Sequence, residues 1–526
     1  MQFITFIGFT LLVAIIAYIK SRKTDESSSD GYFLGGRSLT GIVIAGSLLL
    51  TNLSTEQIVG LNGAAFKEGI LVMAWETLAA IAMVVTAVFL LPRYLKGGIT
   101  TVPQFLQRRY DKTSKTITSA LFLSGYVVVL LPIVLYSGAL AINTMFDVPD
   151  MLNVNETTAL WITVFGIGII GSIYAIFGGL KAVAVSDTIN AIGLLVGGLL
   201  IPIFGLMAIG DGSIFEGIAT LTQSHPEKFK ALGGPESSIP IGTIFTGMML
   251  VQLFYWGTNQ AIIQRALGAK NLKEGQKGLL LASFIKILGP LIVVLPGLIA
   301  FHMFGNTLDN PDEAYPMLVT KVLPAAWVGF FAAVLFGAIL SSFNSALNSS
   351  VTLFGIDIYQ SHFKPDATER QTVKAGKSFG IILAIVAMCI APLIAYAPDG
   401  LFGYLQKVNG CYSIPILTII VVGYLTKYVP AIAAKIAIIS GVVLYVAYIL
   451  LDEFVFVGQF PHFLHVMAIL FVLNVLIMLL IGKFRPRTEA YQQHYTEQVD
   501  ITPWKHLNTV GITICLIVLG IYIYFA

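Results

Sequence analysis

Charge is what this sequence has least of. Lys, Arg, Asp and Glu make up 11% of its 526 residues, where soluble domains carry about 25%. Hydrophobic residues reach 56% and the mean hydropathy is +0.84. That excludes an ordinary water-soluble globule and points to a polytopic helical membrane protein. Cysteine is scarce too. Cys389, Cys411 and Cys515 lie inside apolar runs with no paired or metal-like spacing, which argues against a disulfide framework or a zinc site. The seven histidines (225, 302, 362, 462, 465, 494 and 506) fall in loops or near the ends of apolar runs, so a buried relay built on them is not expected. No polar stretch is long enough for a catalytic or signalling domain, and no enzyme is expected. No basic residue precedes the first apolar run, Phe3 to Ile19, whereas Lys20, Arg22 and Lys23 follow it. This is the reverse of a cleaved leader and reads as a retained helix with its N-terminus outside.

What is abundant is apolar length. A helix needs about 20 residues to cross about 30 Å of hydrocarbon. Such runs fall near 2–20, 39–65, 70–93, 116–145, 157–178, 183–209, 238–263, 277–304, 325–358, 375–397, 400–425, 430–451, 459–482 and 506–525. Fourteen helices put both termini on one side. With the N-terminus outside, 25 of the 31 Lys and Arg fall on the cytoplasmic side, as the positive-inside rule requires. Outside remain Lys67, Lys228, Lys230 and Lys321, while Lys286 and Lys407 sit within or beside spans. The segment 483–505 reads as a cytoplasmic linker. Gly is frequent at 50 residues, as close helix packing in a membrane favours.

Two spans carry polar interruptions, NLSTEQIVG at 52–60 and FYWGTNQ at 254–260. Polar backbone at mid-membrane is tolerated only where it lines a protein cavity, and paired breaks in corresponding halves of a carrier mark its substrate site. With the first helix set aside, the next ten divide into two fives, each beginning with a broken helix. An odd number of helices inverts the second copy. The expected organisation is an N-terminal helix and linker over 1–37, repeats over 38–209 and 210–426, and three C-terminal helices over 427–526.

The chemistry concentrates at these breaks. Asn52, Ser54, Thr55, Glu56 and Gln57 crowd the first, where a carboxylate costs ~2.5–3.5 kcal/mol and needs a cavity or a partner. Glu76 and Lys286 are isolated charges in neighbouring spans; Gln252, Tyr255, Trp256, Asn259 and Gln260 line the second break, and Gln406 belongs to the eleventh span. Amides, balanced charges and aromatic faces suit a neutral polyhydroxylated ligand, whose hydroxyls donate and accept while its apolar face stacks on a ring. A structural Glu–Lys pair, or a polar cluster joining helices, would use the same residues. In FGAILSSFNSALNSS, Ala338, Ser341 and Ser342 share a helix face. Their oxygens, with the carbonyls of Leu50 and Leu53 at the first break, would make a neutral shell for sodium beside a negative helix end. Asp187 admits three roles: holding a second cation with Ser345, relaying the site to the cytoplasm, or capping a helix.

The segments GYFLGGRSLTG (31–41), TNLSTEQIVGLNG (51–63), GITTVPQFLQRRYDK (98–112), YAIFGGLKAVAVSD (174–187), FYWGTNQAIIQRALGAKN (254–271), GLLLASFIKILGPLIVVLPGLIA (278–300) and SSFNSALNSSVTLFGIDIY (341–359) resemble the sodium:solute symporter family, in its sodium/glucose and sodium/galactose type. The resemblance runs over nearly the whole chain. It implies an all-α LeuT-like fold of two inverted five-helix repeats in a bacterial inner membrane. It also implies sodium-driven uptake of a neutral sugar, with sodium, the sugar and the bilayer as partners and neither nucleic acid nor an obligate protein partner. By position it implies a sodium site at Leu50, Leu53, Ala338, Ser341 and Ser342. Gln57, Glu76, Gln252, Asn259, Lys286 and Gln406 match the sugar-binding set, and Tyr255 the inner aromatic gate. Gln252 stands where the best-known bacterial sugar member has asparagine, and Trp75 where it has tyrosine. Asp187, Ser342 and Ser345 match the second sodium site of sialic-acid-type members, but Asn344 replaces a serine there, so one sodium is expected. Those members use an arginine in the third core helix; 116–145 holds neither Arg nor Lys, which speaks against an acidic sugar. The same machine carrying myo-inositol or an amino acid, or a proton-coupled carrier using Asp187 or Glu56, are the alternatives.

Overall fold

The computed structural model describes residues 2–21, 28–308, 310–396 and 401–526; Arg22, Lys23 and the facing ends of the spans expected at 375–397 and 400–425 lie outside them. Among the described residues the chain is helical, with isolated β-bridges and no strand. Twelve helical segments among the described residues are long and apolar enough to cross a membrane, and two shorter apolar helices, Gly41–Asn52 and Ile241–Gly257, fall where the sequence places the interrupted spans.

In chain order, α1 is Gln2–Ser21, α2 Gly41–Asn52 and α3 Thr55–Glu68. Helix α4, Ala74–Val85, continues through a π turn into α5, Leu91–Gly97. The amphipathic α6, Val102–Arg109, is closed by a Thr101–Gln104 capping box. Helix α7, Lys112–Gly125, passes through a second π turn into α8, Leu131–Phe146. The long α9, Glu156–Ile209, bends at Gly179, whose φ of 57° and ψ of −178° belong to glycine; the bend lies between the spans expected at 157–178 and 183–209. Next come α10, Met249–Gly257, and α11, Gln260–Leu267, then α12, Leu272–Val293, and α13, Leu295–Phe304. Helices α14, Ala325–Thr352, α15, Glu369–Ile390, and α16, Leu401–Leu425, follow. The last three are α17, Ala431–Phe454, α18, Phe463–Phe484, and α19, Leu507–Tyr524.

The two broken spans meet at their basic ends. Leu39, ahead of α2, bridges Gly268–Lys270, behind α11, through Leu39 N–H to Gly268 O (3.1 Å) and Lys270 N–H to Leu39 O (3.0 Å). Glu274 adds a bond from Gly41 N–H at 2.8 Å. The polar segment after α18, expected as a linker, is stapled across this same face. Arg487 reaches the carbonyls of Tyr428 and Arg109, Gln493 that of Arg93, and Thr496 that of Lys96. The Asp500 carbonyl accepts from Leu272 N–H, and Trp504 N–H donates to Gln276. At the opposite end Lys228 donates to the Phe66 carbonyl (3.1 Å), so the loop ahead of the second broken span caps the far end of α3.

Candidate functional site

The first break lies between Asn52 and Thr55. Leu53 turns out of the helix at ψ 54° and Ser54 is extended at ψ −176°, so the C-terminal end of α2 faces the N-terminal end of α3. This sets a partly negative end beside a partly positive one in the membrane interior. The second break repeats the motif. Thr258 and Asn259 leave the helix, and Asn259 Oδ1 accepts both from Ala261 N–H (3.1 Å) and from the Tyr126 hydroxyl (2.6 Å).

Between the breaks is a buried polar network. Lys286 of α12 donates to both Glu76 of α4 and Asn52 of α2, with 1% and 0% of the Lys286 and Glu76 side chains exposed. Gln57 Nε2 donates to the other Glu76 oxygen at 2.5 Å, so the pair's charges cancel, α3 and α12 meet at the carboxylate of α4, and α2 joins through Lys286. Gln252 Nε2 donates to the Trp75 carbonyl at 2.8 Å. Gln57, Gln252, Tyr255, Asn259 and Gln406 all line one central cavity of about 50 Å³; Glu76 and Lys286 stand behind Asn52 and Gln57. The cavity has room for a few waters and not for a sugar. Above it a cavity of about 280 Å³ reaches Lys67, Glu68 and Lys407 and shares Trp75, Phe402 and Gln406 with the inner one. Trp75 and Phe402 meet edge to face at 5.4 Å and form the partition.

The other face of the first break packs on α14. Ser342 Oγ donates to the Thr51 carbonyl at 2.7 Å, and Thr51 Oγ1 lies 3.3 Å from Ser341 Oγ and 3.1 Å from Ser345 Oγ. Leu50, Leu53 and Ala338 are buried beside them. Uncharged hydroxyls and carbonyls are the donor set a hard monovalent cation takes, so these residues fit sodium.

Asp187 and Ser345 occupy one polar cluster and share it with an arginine. Ser47 Oγ donates to Asp187 at 2.6 Å, while buried Arg265 donates to Ser47 (3.3 Å) and to Ser345. Sequence reasoning counted Arg265 among the cytoplasmic basic residues and gave it no role in the site; its guanidinium lies on the hydroxyl considered for a second cation. Also missed were Asn52 as the partner of Lys286, Tyr126 at the second break, and buried Asp357. The Asp357 carboxylate accepts from Thr101 (2.9 Å) and Ser119 (3.0 Å). A lone carboxylate within FGIDIY was its visible signal.

The model of the sodium:solute symporter family matches residues 32–442. The chain belongs to the sodium:solute symporter family. It is a multi-pass membrane transporter, not an enzyme. Similar to it is a protein described as uncharacterized symporter YidK from Escherichia coli (strain K12), 49% identical, covering 99% of this chain and 90% of that one. A sodium/glucose cotransporter from Vibrio parahaemolyticus is 32% identical over 84% of both chains. The human sodium/myo-inositol cotransporter 2 is 28% identical over 84% of this chain and 69% of its own. Among solved structures, a substrate-bound outward-open Na+-coupled sialic acid symporter aligns with a TM-score of 0.78 at 20% identity, over 93% of this chain and 99% of that one. The nucleobase-cation-symport-1 transporter Mhp1, closed on bromovinylhydantoin, aligns at 0.57 and 14% identity over 86% and 94%. The symporter therefore has the LeuT-like fold of two inverted five-helix repeats, and its family couples solute movement to sodium.

Proposed function

We propose that the symporter imports a neutral hexose of the galactose or glucose kind, with sodium, across a bacterial inner membrane. The observation that carries this reading is the cancelled Glu76–Lys286 pair, held with Asn52 and Gln57 behind a cavity of amides and aromatic rings. Such a site offers fixed donors and acceptors for hydroxyls with no net charge from the pair. The sodium/glucose relative supports the substrate class. The sodium/myo-inositol relatives favour myo-inositol as the second reading, within the same polyol chemistry.

Sodium at Leu50, Leu53, Ala338, Ser341 and Ser342 would hold α2 against α14 and fix the geometry of the break. Sugar entering past Trp75 and Phe402 would meet Gln57, Gln252, Asn259 and Gln406, with Tyr255 closing the inner side. Repeats 38–209 and 210–426 then rock about the site, flanked by 1–37 and 427–526. The contact of Arg265 with Ser345 supports one sodium per cycle, because a resident guanidinium already supplies positive charge beside Asp187. A ~100 mV potential contributes ~2.3 kcal/mol for each charge moved.

The test is uptake of labelled galactose, glucose and myo-inositol into proteoliposomes under an imposed sodium gradient, then under a proton gradient. Accumulation under sodium alone supports the proposal. Accumulation under protons alone refutes it and directs attention to Asp187 and Glu56.

A further inference from the structure

Among the described residues, Glu56 is the one charged residue lining the central cavity, and the reading above leaves it without a task. It is the second residue of α3, 5% exposed, and its Oε2 has no hydrogen-bond partner. Buried carboxylate oxygens do not stay unpaired without cost. The buried cations Lys286 and Arg265 are engaged elsewhere, Lys286 with Glu76 and Asn52, Arg265 with Ser345 and Ser47. The N-terminal end of α3 favours a negative charge at this position. What remains is an unpartnered carboxylate oxygen on a residue that lines a cavity whose other polar groups are amides, phenols and an indole.

From this we infer that Glu56 is a specificity-determining residue, accepting hydrogen bonds from donors on the solute and excluding anionic solutes. Two properties follow from the same atom. A hydroxyl pair or other donor group on the solute satisfies the orphaned oxygen, and a charge-assisted hydrogen bond is roughly twice as strong as a neutral one. A carboxylated or sulfonated analogue brings like charge against it in a site with no free cation among the lining residues. The exclusion of acidic sugars thus rests on a repulsive group, which is how a site separates near-identical ligands. This inference rests on the sugar reading of the site.

Glu56→Gln keeps the shape, removes the charge and leaves the sodium-site residues untouched. Uptake of labelled galactose by wild type and E56Q would be measured in proteoliposomes, with galactose and galacturonate as competitors and sodium varied separately. The galactose KM is expected to rise about 10- to 100-fold, the usual effect of losing a hydrogen bond to a charged group. The preference for galactose over galacturonate should shrink by about tenfold or more, with the half-saturating sodium concentration unchanged. An E56Q protein with wild-type KM and wild-type discrimination would overturn the role of Glu56 and leave the sugar reading standing. Wild-type protein that accumulates none of galactose, glucose and myo-inositol would overturn both.

Discussion

Removing the Lys286 ammonium should cost the symporter more than it costs the sugar. Neither member of the Glu76–Lys286 pair is exposed by more than 1%. Lys286→Met would therefore strand a carboxylate whose other hydrogen-bond donor is the Gln57 amide, and would take the Lys286 donor away from Asn52 Oδ1. Breaking a buried pair from one side costs about 3–5 kcal/mol, and an abandoned amide oxygen adds about 1–3. The Gln57 bond offsets part of this, so a net loss of about 3 kcal/mol or more is expected for the single variant. Glu76→Gln leaves the opposite charge and should cost a comparable amount. The double variant K286M/E76Q holds no buried charge at this spot, and replacing a whole buried pair is close to neutral. With each single variant costing about 3 kcal/mol and the double close to nothing, a double-mutant cycle measured by unfolding in detergent should give a coupling of about 6 kcal/mol. Uptake separates structure from function: stability should return in the double variant and sugar transport should not. Additive single effects would refute the pairing argument, and transport restored along with stability would make the pair structural.

Ser342→Ala removes a hydroxyl from the sodium shell and the donor to the Thr51 carbonyl; the sodium concentration for half-maximal uptake should rise about tenfold or more, and an unchanged value would count heavily against the assignment. The Hill coefficient for sodium in wild-type protein should be about 1; a value near 2 would sink the argument from Arg265. A Cβ at Gly60 would meet Phe402 Cβ at 2.9 Å, so Gly60→Ala should wedge the outer partition and slow maximal uptake with little change in sodium affinity, and wild-type turnover would contradict this. A Cβ at Gly289 would run into a Glu76 oxygen, so Gly289→Ala should weaken sugar binding in equilibrium titrations.

The sequence made the membrane class legible because twenty-residue apolar runs have few other uses, and the two breaks stood out because polar clusters in such runs are costly. Gln57, Gln252, Tyr255, Asn259 and Gln406 were readable as one site and do line one cavity. What the sequence withheld was pairing across helices. Lys286 appeared as an isolated ammonium, yet it meets Asn52, 234 positions away. Arg265 gave no sign of its partners, because a short RALGAK segment does not show that a long side chain reaches back to Ser47 and Ser345. The tail after α18 looked like a linker because main-chain bonds to distant carbonyls leave no trace in composition.

That stapled tail has a mechanical consequence. Its bonds join α5, the Arg109 end of α6, the turn between α16 and α17, and the start of α12. Points tied by one short strap bonded at several places keep nearly constant separations, so these four places lose freedom to move apart on the basic face. Any opening there either travels with the strap as one piece, hinging α2, α9 and α14 away from it, or begins by unzipping it from one end.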